Sequence, residues 1–191
     1  MPRRHPRTHT RHRAGIAGFT QIELLTALLI VALLFGFALP ALSAATEATR
    51  AMQVRTALMA SYQAALTGAA SANSRTTLCP SRDGAHCAAG IDWSHGWIAF
   101  VDRDGDRERQ PAETILAHQD ALPGKVHLHS TAGRTRIEIQ ADGSVAGSNV
   151  TFTLCDGRGA SRAQSLILSN KSTLRVAPAD AMAIADTCAP G

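Results

Sequence analysis

Residues 18–39 of the chain read GFTQIELLTALLIVALLFGFAL. From Leu24 to Leu39 the only conventionally polar side chain is that of Thr26. The 21 residues from Phe19 to Leu39 would extend about 31 Å as an α-helix, which is close to the thickness of the hydrocarbon core of a bilayer. The sequence therefore predicts a transmembrane helix over residues 19–40.

The segment in front of the apolar run is basic. Residues 1–18 hold five arginines and no acidic residue, which leaves 14 of the 19 basic residues against 15 acidic ones in the rest of the chain. The formal net charge of +4 therefore belongs to the N-terminus, and a globally basic nucleic-acid binder is not supported. Because basic residues beside a span stay on the cytoplasmic side, we expect the C-terminal body outside the cytoplasm.

Glu23 is the one carboxylate inside the apolar segment. An acid in hydrocarbon is costly unless it finds a partner, so it is a functional hypothesis by default. A signal peptide would have its small-residue cleavage site after the apolar run, whereas here Gly18 precedes it. Cleavage after Gly18 would create a free amine on Phe19, which could pair with Glu23 of a neighbouring chain. The alternative is a Glu23 that lies at the membrane edge and snorkels to water.

Residues 18–25, GFTQIELL, resemble the class III leader and mature start of type IV pilins and type II secretion pseudopilins. The resemblance implies a prepilin peptidase that cuts after Gly18 and methylates Phe19, and a Glu23 that guides the subunit into a growing filament. It also implies a single-pass inner-membrane protein with a periplasmic C-terminal domain, whose partners are other pilins or pseudopilins. Gln21 departs from the apolar residue usual in the family. A membrane protein that keeps its leader is the alternative if Gly18 is not cleaved.

The helical pattern continues beyond Pro40, and we predict an amphipathic helix over residues 41–67. Gly68 and the Ala/Ser/Asn run after it are expected to end this helix. The apolar residues recur at steps of three, four and seven, and we predict that they face a globular domain. They are Ala45, Ala48, Met52, Met59, Tyr62 and Leu66.

Residues 68–191 read as short strands separated by glycine-containing turns such as Asp104-Gly105 and Asp142-Gly143. Together with the helix they predict an α+β fold: a long N-terminal hydrophobic helix, half transmembrane and half amphipathic, packed on a mostly antiparallel β-sheet domain. The predicted strands are Thr76–Cys79, Trp97–Asp102, Glu113–His118, Lys125–Ser130, Thr135–Gln140, Val150–Cys155, Gln164–Ser169 and Thr173–Val176.

The four cysteines are Cys79, Cys87, Cys155 and Cys188, and none forms a C-x-x-C pair. An even number of cysteines after a hydrophobic segment indicates an exported location where disulfides persist. Two bridges allow three pairings. Sequence separation favours Cys79–Cys87, which leaves Cys155–Cys188, while four free thiols in a cytosolic protein are the alternative.

The C-terminal part also has family character. Residues 78–87 (LCPSRDGAHC), 93–102 (WSHGWIAFVD) and 152–160 (FTLCDGRGA) resemble the GspH/FimT branch of minor pilins and pseudopilins. The Gly-Arg-x-Arg motif often found in the last strand of that branch is only partly met by residues 170–176, NKSTLRV. The resemblance implies a pilin-like fold and a structural subunit.

The sequence matches the residue patterns of enzymes and metal sites only weakly. Asp102, Asp104, Asp106 and Glu113 occupy positions 1, 3, 5 and 12 of an EF-hand-like loop, but Arg107 stands where glycine is needed. We therefore expect a charged hairpin tip rather than a calcium site. His127 and His129 share one face of a strand, yet no third ligand is implied. No nucleophile elbow or phosphate-binding glycine loop is present, so we predict no enzyme, no cofactor and no metal.

Two hypotheses of function follow. The first is a FimT-like minor pilin that assembles into, or at the tip of, a type IV pilus, with a GspH-like pseudopilin of a type II secretion system as the alternative. The second is DNA capture in natural transformation, since residues 157–176 contain no acidic residue. Binding should be weak and salt-sensitive, and a merely solvated basic surface is the alternative. The candidate DNA-binding residues are Arg158, Arg162, Lys171 and Arg175.

Overall fold

A computed structural model of the chain describes residues 18–145, 147, 149–170 and 172–188. The leader residues 1–17 and the candidate Lys171 lie outside the described residues. The chain divides into two compact units, Met1–Pro40 and Ala41–Gly191.

Helix α1 comprises Gln21–Ala72 and contains Pro40. It begins with a side-chain cap, because the Thr20 hydroxyl accepts a hydrogen bond from the Glu23 backbone N–H at 3.3 Å. This is the position from which a threonine satisfies an otherwise unpaired amide of the first helical turn. The apolar stretch of α1 is long and hydrophobic enough to cross a membrane, and none of it is buried within the protein.

In the second unit α1 buries a face built largely of small residues. Its members recur at steps of three and four residues, as a helix face requires. The predicted face is correct in its second half, where Tyr62 is buried and Met59 and Leu66 pack partly buried against the core. It is wrong in its first half, where Met52 is 57% exposed. Alanine side chains let the helix approach the sheets closely, and they carry too little hydrophobic signal to compete with methionine in a sequence pattern. The buried face comprises Ala51, Val54, Leu58, Tyr62, Ala65 and Ala69.

The expected end of the helix at Gly68 was also wrong, because α1 continues to Ala72. Gly68 is buried inside the helix, where a Cβ would lie 2.3 Å from Leu116 Cδ1. Glycine stands there for close packing rather than for termination. The helix ends at Asn73, whose φ of 46° is left-handed. Two reversed bonds, Asn73 N–H to the Ala70 carbonyl and Ser74 N–H to the Ala69 carbonyl, complete a Schellman motif.

Eight strands follow α1 and confirm the predicted strand regions, with bounds that shift by up to two residues. They form two antiparallel four-stranded sheets, ordered β3-β2-β1-β5 and β4-β6-β7-β8. A short helix, α2 at Ala181–Thr187, was not predicted. The strands are β1 Arg75–Pro80, β2 Trp97–Asp102, β3 Ile115–Gln119, β4 His127–Ser130, β5 Ile137–Ile139, β6 Val150–Cys155, β7 Gln164–Leu168 and β8 Leu174–Pro178.

Two buried tryptophans join the layers of the second unit. The Trp97 indole donates a hydrogen bond to the Ser61 hydroxyl of α1 at 2.9 Å. The Trp93 indole donates to the Ser130 hydroxyl of β4 at 3.1 Å and meets Phe152 edge-on, with ring centroids 4.9 Å apart. Both indole N–H groups therefore find the partner that a buried indole needs.

All four cysteines form disulfides. Cys79 and Cys87 close a loop at the end of β1, and Cys155 ties β6 to Cys188 at the end of α2; each pair has a Cα–Cα distance of 5.6 Å. This is the pairing that sequence separation favours. The Cys155–Cys188 bond fastens the C-terminal segment to the second sheet.

Candidate functional site

The N-terminal candidates lie where α1 begins. Gly18 and Phe19 precede the helix in non-helical backbone, no atom lies within 4 Å of the position of a Cβ on Gly18, and Phe19 is 84% exposed. The Thr20 cap fixes the start of the helix directly after this junction. The predicted cleavage point is therefore an open, non-helical peptide next to a defined helix terminus.

Glu23 lies in the first turn of α1, followed by the apolar run. Its backbone carbonyl accepts the Thr26 hydroxyl at 3.0 Å. Within the part of the chain that the structure describes, no hydrogen bond or ion pair reaches the Glu23 carboxylate. A partner for this charge must come from outside those residues.

The second candidate region is a cleft of about 450 Å³ in the Ala41–Gly191 unit. We call it the basic cleft, after Lys125, Arg158 and Arg162 on its walls. Lys125 precedes β4, and Arg158 and Arg162 follow β6. Because β4 pairs antiparallel with β6, the residues before one strand and after the other meet at the same end of the sheet.

Arg158 is held by a bidentate ion pair with Asp156. Its Nε donates to Asp156 Oδ1 at 2.9 Å and its Nη2 to Oδ2 at 2.7 Å. Burial acts to raise the pKa of Asp156, but hydrogen bonds from the Arg158 side chain and backbone, with the charges of Arg158 and Arg162, hold it below its usual value. The same bond to Asp156 raises the pKa of Arg158. The pair therefore stays ionised and rigid.

Glu47 of α1 also lies in the cleft, and its charge has a partner too. Its carboxylate pairs with Arg50 at 2.5 Å and accepts the Gly157 N–H at 3.2 Å. A Cβ on Gly157 would lie 2.9 Å from Glu47 Cδ, and Gly124, at a φ of +65°, lies against Arg50. Glycines at these two positions let both side chains lie against the backbone.

Of the predicted DNA-binding residues, the structure brings two arginines together and places a third elsewhere on the second sheet. Arg158 and Arg162 share the cleft, whereas exposed Arg175 lies on β8 opposite Ile167. Ile167 lies three residues along β7 from its first residue, Gln164, or about 10 Å of strand from the end of β7 that follows Arg162. Lys171 lies outside the described residues. The sequence analysis missed Lys125, whose proximity depends on the pairing of β4 with β6, two strands that are not consecutive in the chain.

The acidic loop after β2 is held by hydrogen bonds between its own residues. Asp102 is buried and accepts the Gly105 N–H at 2.7 Å and the Thr77 hydroxyl at 3.1 Å. Glu113 accepts two backbone N–H groups, those of Arg103 and Gln110, at 2.8 and 3.0 Å. Oxygens of Asp102, Asp104 and Asp106 lie within 4.8 Å of one another. The bonds that Asp102 and Glu113 make within the loop give these two carboxylates a structural role.

His127 and His129 share one face of β4, with Leu128 and Ser130 buried on the other. His129 Nε2 lies 3.5 Å from Asp92 Oδ1, and His95 Nε2 lies 3.4 Å from Asp92 Oδ2. Burial acts to raise the pKa of Asp92, but hydrogen bonds from Ser94 and the charges of His129 and His95 hold that pKa below its usual value. This cluster joins the segment before β2 to the second sheet.

Comparison with known proteins identifies both the domain and the fold. The family model described as Type II transport protein GspH matches residues 55–172, more than half of the chain. The type IV minor pilin FimU of Pseudomonas aeruginosa strain PAO1, in space group P21, has a TM-score of 0.52 and 17% identity, covering 71% of this chain and 91% of that one. Its P65 crystal form gives 0.49 and 18%, covering 68% and 91%. No curated protein sequence matches the chain.

Proposed function

This chain belongs to the GspH family, and from that premise we propose that it is a FimT-like minor pilin that enters a type IV pilus through its N-terminal helix. Members of the family are pilin-like structural subunits rather than enzymes. The observation that carries the proposal is the order of features along the chain. An exposed Gly18–Phe19 junction, a Glu23 carboxylate without a partner among the described residues, and an exposed apolar helix precede a GspH domain.

The proposed assembly step uses the two charges at the start of the mature chain. Cleavage after Gly18 would leave an amine on Phe19, four residues before Glu23. In an apolar filament core, each charge would be costly alone, and pairing between neighbouring subunits would satisfy both. The exposure of the apolar run supports this, because none of the described residues buries the surface that a filament would cover.

This proposal divides the chain into a cleaved leader at 1–18, a membrane and filament helix at 19–40, a second helical part, and a periplasmic β-rich domain. The helical part, predicted as 41–67, extends to Ala72 in the structure. Single-pass insertion in the inner membrane, methylation of Phe19 and incorporation at the tip are parts of the same proposal.

Processing is the first test. Co-expression with a prepilin peptidase, followed by intact-mass measurement, should give a chain that begins at Phe19 and has lost residues 1–18. Gly18→Ala should be cut in part because alanine is still small, and Gly18→Leu should not be cut. A wild-type mass that is unchanged beside an active peptidase, shown by a control prepilin in the same cells, contradicts the proposal.

A pseudopilin of a type II secretion system is the alternative, and the name of the matching family, Type II transport protein GspH, favours it. The two systems use the same fold and the same processing, so the distinction depends on the neighbouring subunits. Crosslinking of the mature chain in cells that contain both systems should recover type IV pilins if the proposal is right, and pseudopilins if the alternative is right.

DNA capture is a second candidate function, and one observation favours it: Lys125, Arg158 and Arg162 meet in a single cleft. Because Arg175 lies away from that cleft, the DNA-binding hypothesis now concerns three cations, Lys125, Arg158 and Arg162. A salt titration of DNA binding tests it, as argued at the end of the Discussion.

A further inference from the structure

We propose that the basic cleft binds the phosphate group of an anionic phospholipid headgroup. The inference rests on the proposed function in one respect, since residues 19–40 must span the membrane. Nothing in pilin processing or in filament entry through the helix requires such a site. The argument depends on the charges, walls and chain position of the cleft.

The cleft has more positive charge than its own acids can neutralise. Glu47 pairs with Arg50 and Asp156 pairs with Arg158. Lys125 and Arg162 are exposed on the walls, and among the described residues neither forms an ion pair. Two cations are therefore left over, which suits a phosphodiester with one negative charge.

The donors are of the kind that phosphate groups need. Guanidinium groups bind phosphate oxygens directionally, and lysine adds a mobile point charge. Arg158 is already oriented by Asp156, so binding would have to order only the side chains of Lys125 and Arg162. A cleft of about 450 Å³ has the size of sites that take small molecules, which is more space than a single inorganic ion requires.

The chain position of the cleft points to a lipid. Ser43 and Ala44, on its wall, directly follow Leu42, the last large residue of the exposed apolar series, which is 65% exposed. Where residues 19–40 span a bilayer, the residues just after them lie at the level of the headgroups. Basic side chains at that level attract anionic lipids.

Duplex or single-stranded DNA fits the cleft less well. A nucleic acid presents a row of phosphates and bases, and its sites combine a track of cations with stacking aromatics. The described lining of this cleft contains no aromatic residue, and Arg175 lies opposite Ile167, about 10 Å along the strands from the end of β7 that follows Arg162. One phosphate at one site is the better match.

The test uses the full processed chain in detergent micelles, titrated with phosphatidylglycerol or phosphatidylcholine, with bound lipids counted by native mass spectrometry. We expect phosphatidylglycerol to bind about tenfold more tightly. Lys125→Gln with Arg162→Gln should abolish this preference. Arg103→Gln with Arg175→Gln removes two exposed cations elsewhere and should retain it. Equal thermal unfolding of both variants shows that the fold is unchanged.

Three results would overturn the inference: a preference that survives in the Lys125/Arg162 variant, an equal loss in the control variant, or no preference in the wild type. Inorganic phosphate and a short single-stranded DNA are added as competitors. Displacement of phosphatidylglycerol by micromolar DNA assigns the cleft to nucleic acid. Binding of inorganic phosphate without any lipid preference assigns it to free phosphate. Either result overturns the lipid as the preferred ligand of the cleft.

Two further measurements separate this inference from the proposed function. Intact mass and resistance to carbonate extraction measure processing and membrane insertion, and they do not depend on the cleft. An unprocessed or extractable chain with a lipid preference that needs Lys125 and Arg162 contradicts the proposed function alone. A processed, inserted chain without that preference contradicts the lipid site alone.

Discussion

The Glu23 carboxylate has no bonding partner among the residues that the structure describes, and it precedes a run of exposed apolar side chains. If it pairs with the Phe19 amine of a neighbouring subunit, its loss should affect assembly and not insertion. Glu23→Gln and Glu23→Val should enter the membrane at least as well as the wild type, because a buried charge is removed. Their incorporation into sheared filaments, measured by immunoblot against membrane content, should fall severalfold.

A matched control for this prediction is Gln21→Leu, which changes polarity in the same helical turn and leaves the charge in place. It should assemble normally. Wild-type incorporation of Glu23→Val would reduce Glu23 to a tolerated polar residue.

Gly96 is the residue at which the fold leaves no room for a side chain. Its φ is +110°, and a Cβ there would lie 2.3 Å from the Gln119 backbone carbonyl oxygen. Its own carbonyl accepts the Ser81 N–H at 2.9 Å, so the segment cannot shift without losing that bond. Gly96→Ala should lower the free energy of unfolding by about 2–4 kcal/mol.

Gly133→Ala is the control for Gly96→Ala. Gly133 has a φ of +79° with no atom within 4 Å of a Cβ, so only left-handed strain of about 1 kcal/mol applies. Urea unfolding of both variants measures the difference, and equal midpoints would show that the contact at Gly96 relaxes freely.

At the scale of secondary structure, strands were predictable and helix boundaries were not. The strands alternate apolar residues between turns such as Asp142-Gly143, where the positive φ of the glycine is a local property. Gly68 is also a glycine, but it is needed for close packing against Leu116. A contact between residues so far apart in the chain leaves no local sequence pattern. Helix α2 was missed because its seven residues carry little periodic signal, and the Asp180 cap and the Cys188 disulfide fix it instead.

The two disulfides should contribute unequally to stability. The Cys79–Cys87 and Cys155–Cys188 bonds span sequence separations of 8 and 33 residues. Loop-closure entropy then gives about 2.5 and about 3.7 kcal/mol, respectively. Paired replacement of each bridge by alanine should shift urea unfolding in that order, and denatured, unreduced wild type should show no reactive thiol. The reverse order would mean that the tail bridge acts on a segment that is loose in the native state.

For the whole molecule, closeness in sequence predicted closeness in the fold only within one segment. Arg158 and Arg162 are four residues apart in the chain and line the same cleft. Lys125 joins them through the pairing of β4 with β6, and Arg175 leaves them because β7 and β8 carry it along the sheet. Proximity of this kind is set by strand register, which depends on packing throughout the domain.

The distribution of charge along the chain limits how strongly the whole molecule can bind DNA. Removal of residues 1–18 takes five arginines from a chain with a net charge of +4, which leaves −1, so long-range attraction for a polyanion is lost. Contact of the three cleft cations, Lys125, Arg158 and Arg162, with phosphates predicts a slope of log affinity against log salt of about −2.7. Filter binding by the processed chain over a range of salt concentrations measures this slope. Arg158→Gln with Arg162→Gln should flatten it by about 2, whereas Arg103→Gln with Arg175→Gln should leave it unchanged. A much steeper slope, or one that only Arg175 controls, would place DNA on β8 instead of in the cleft.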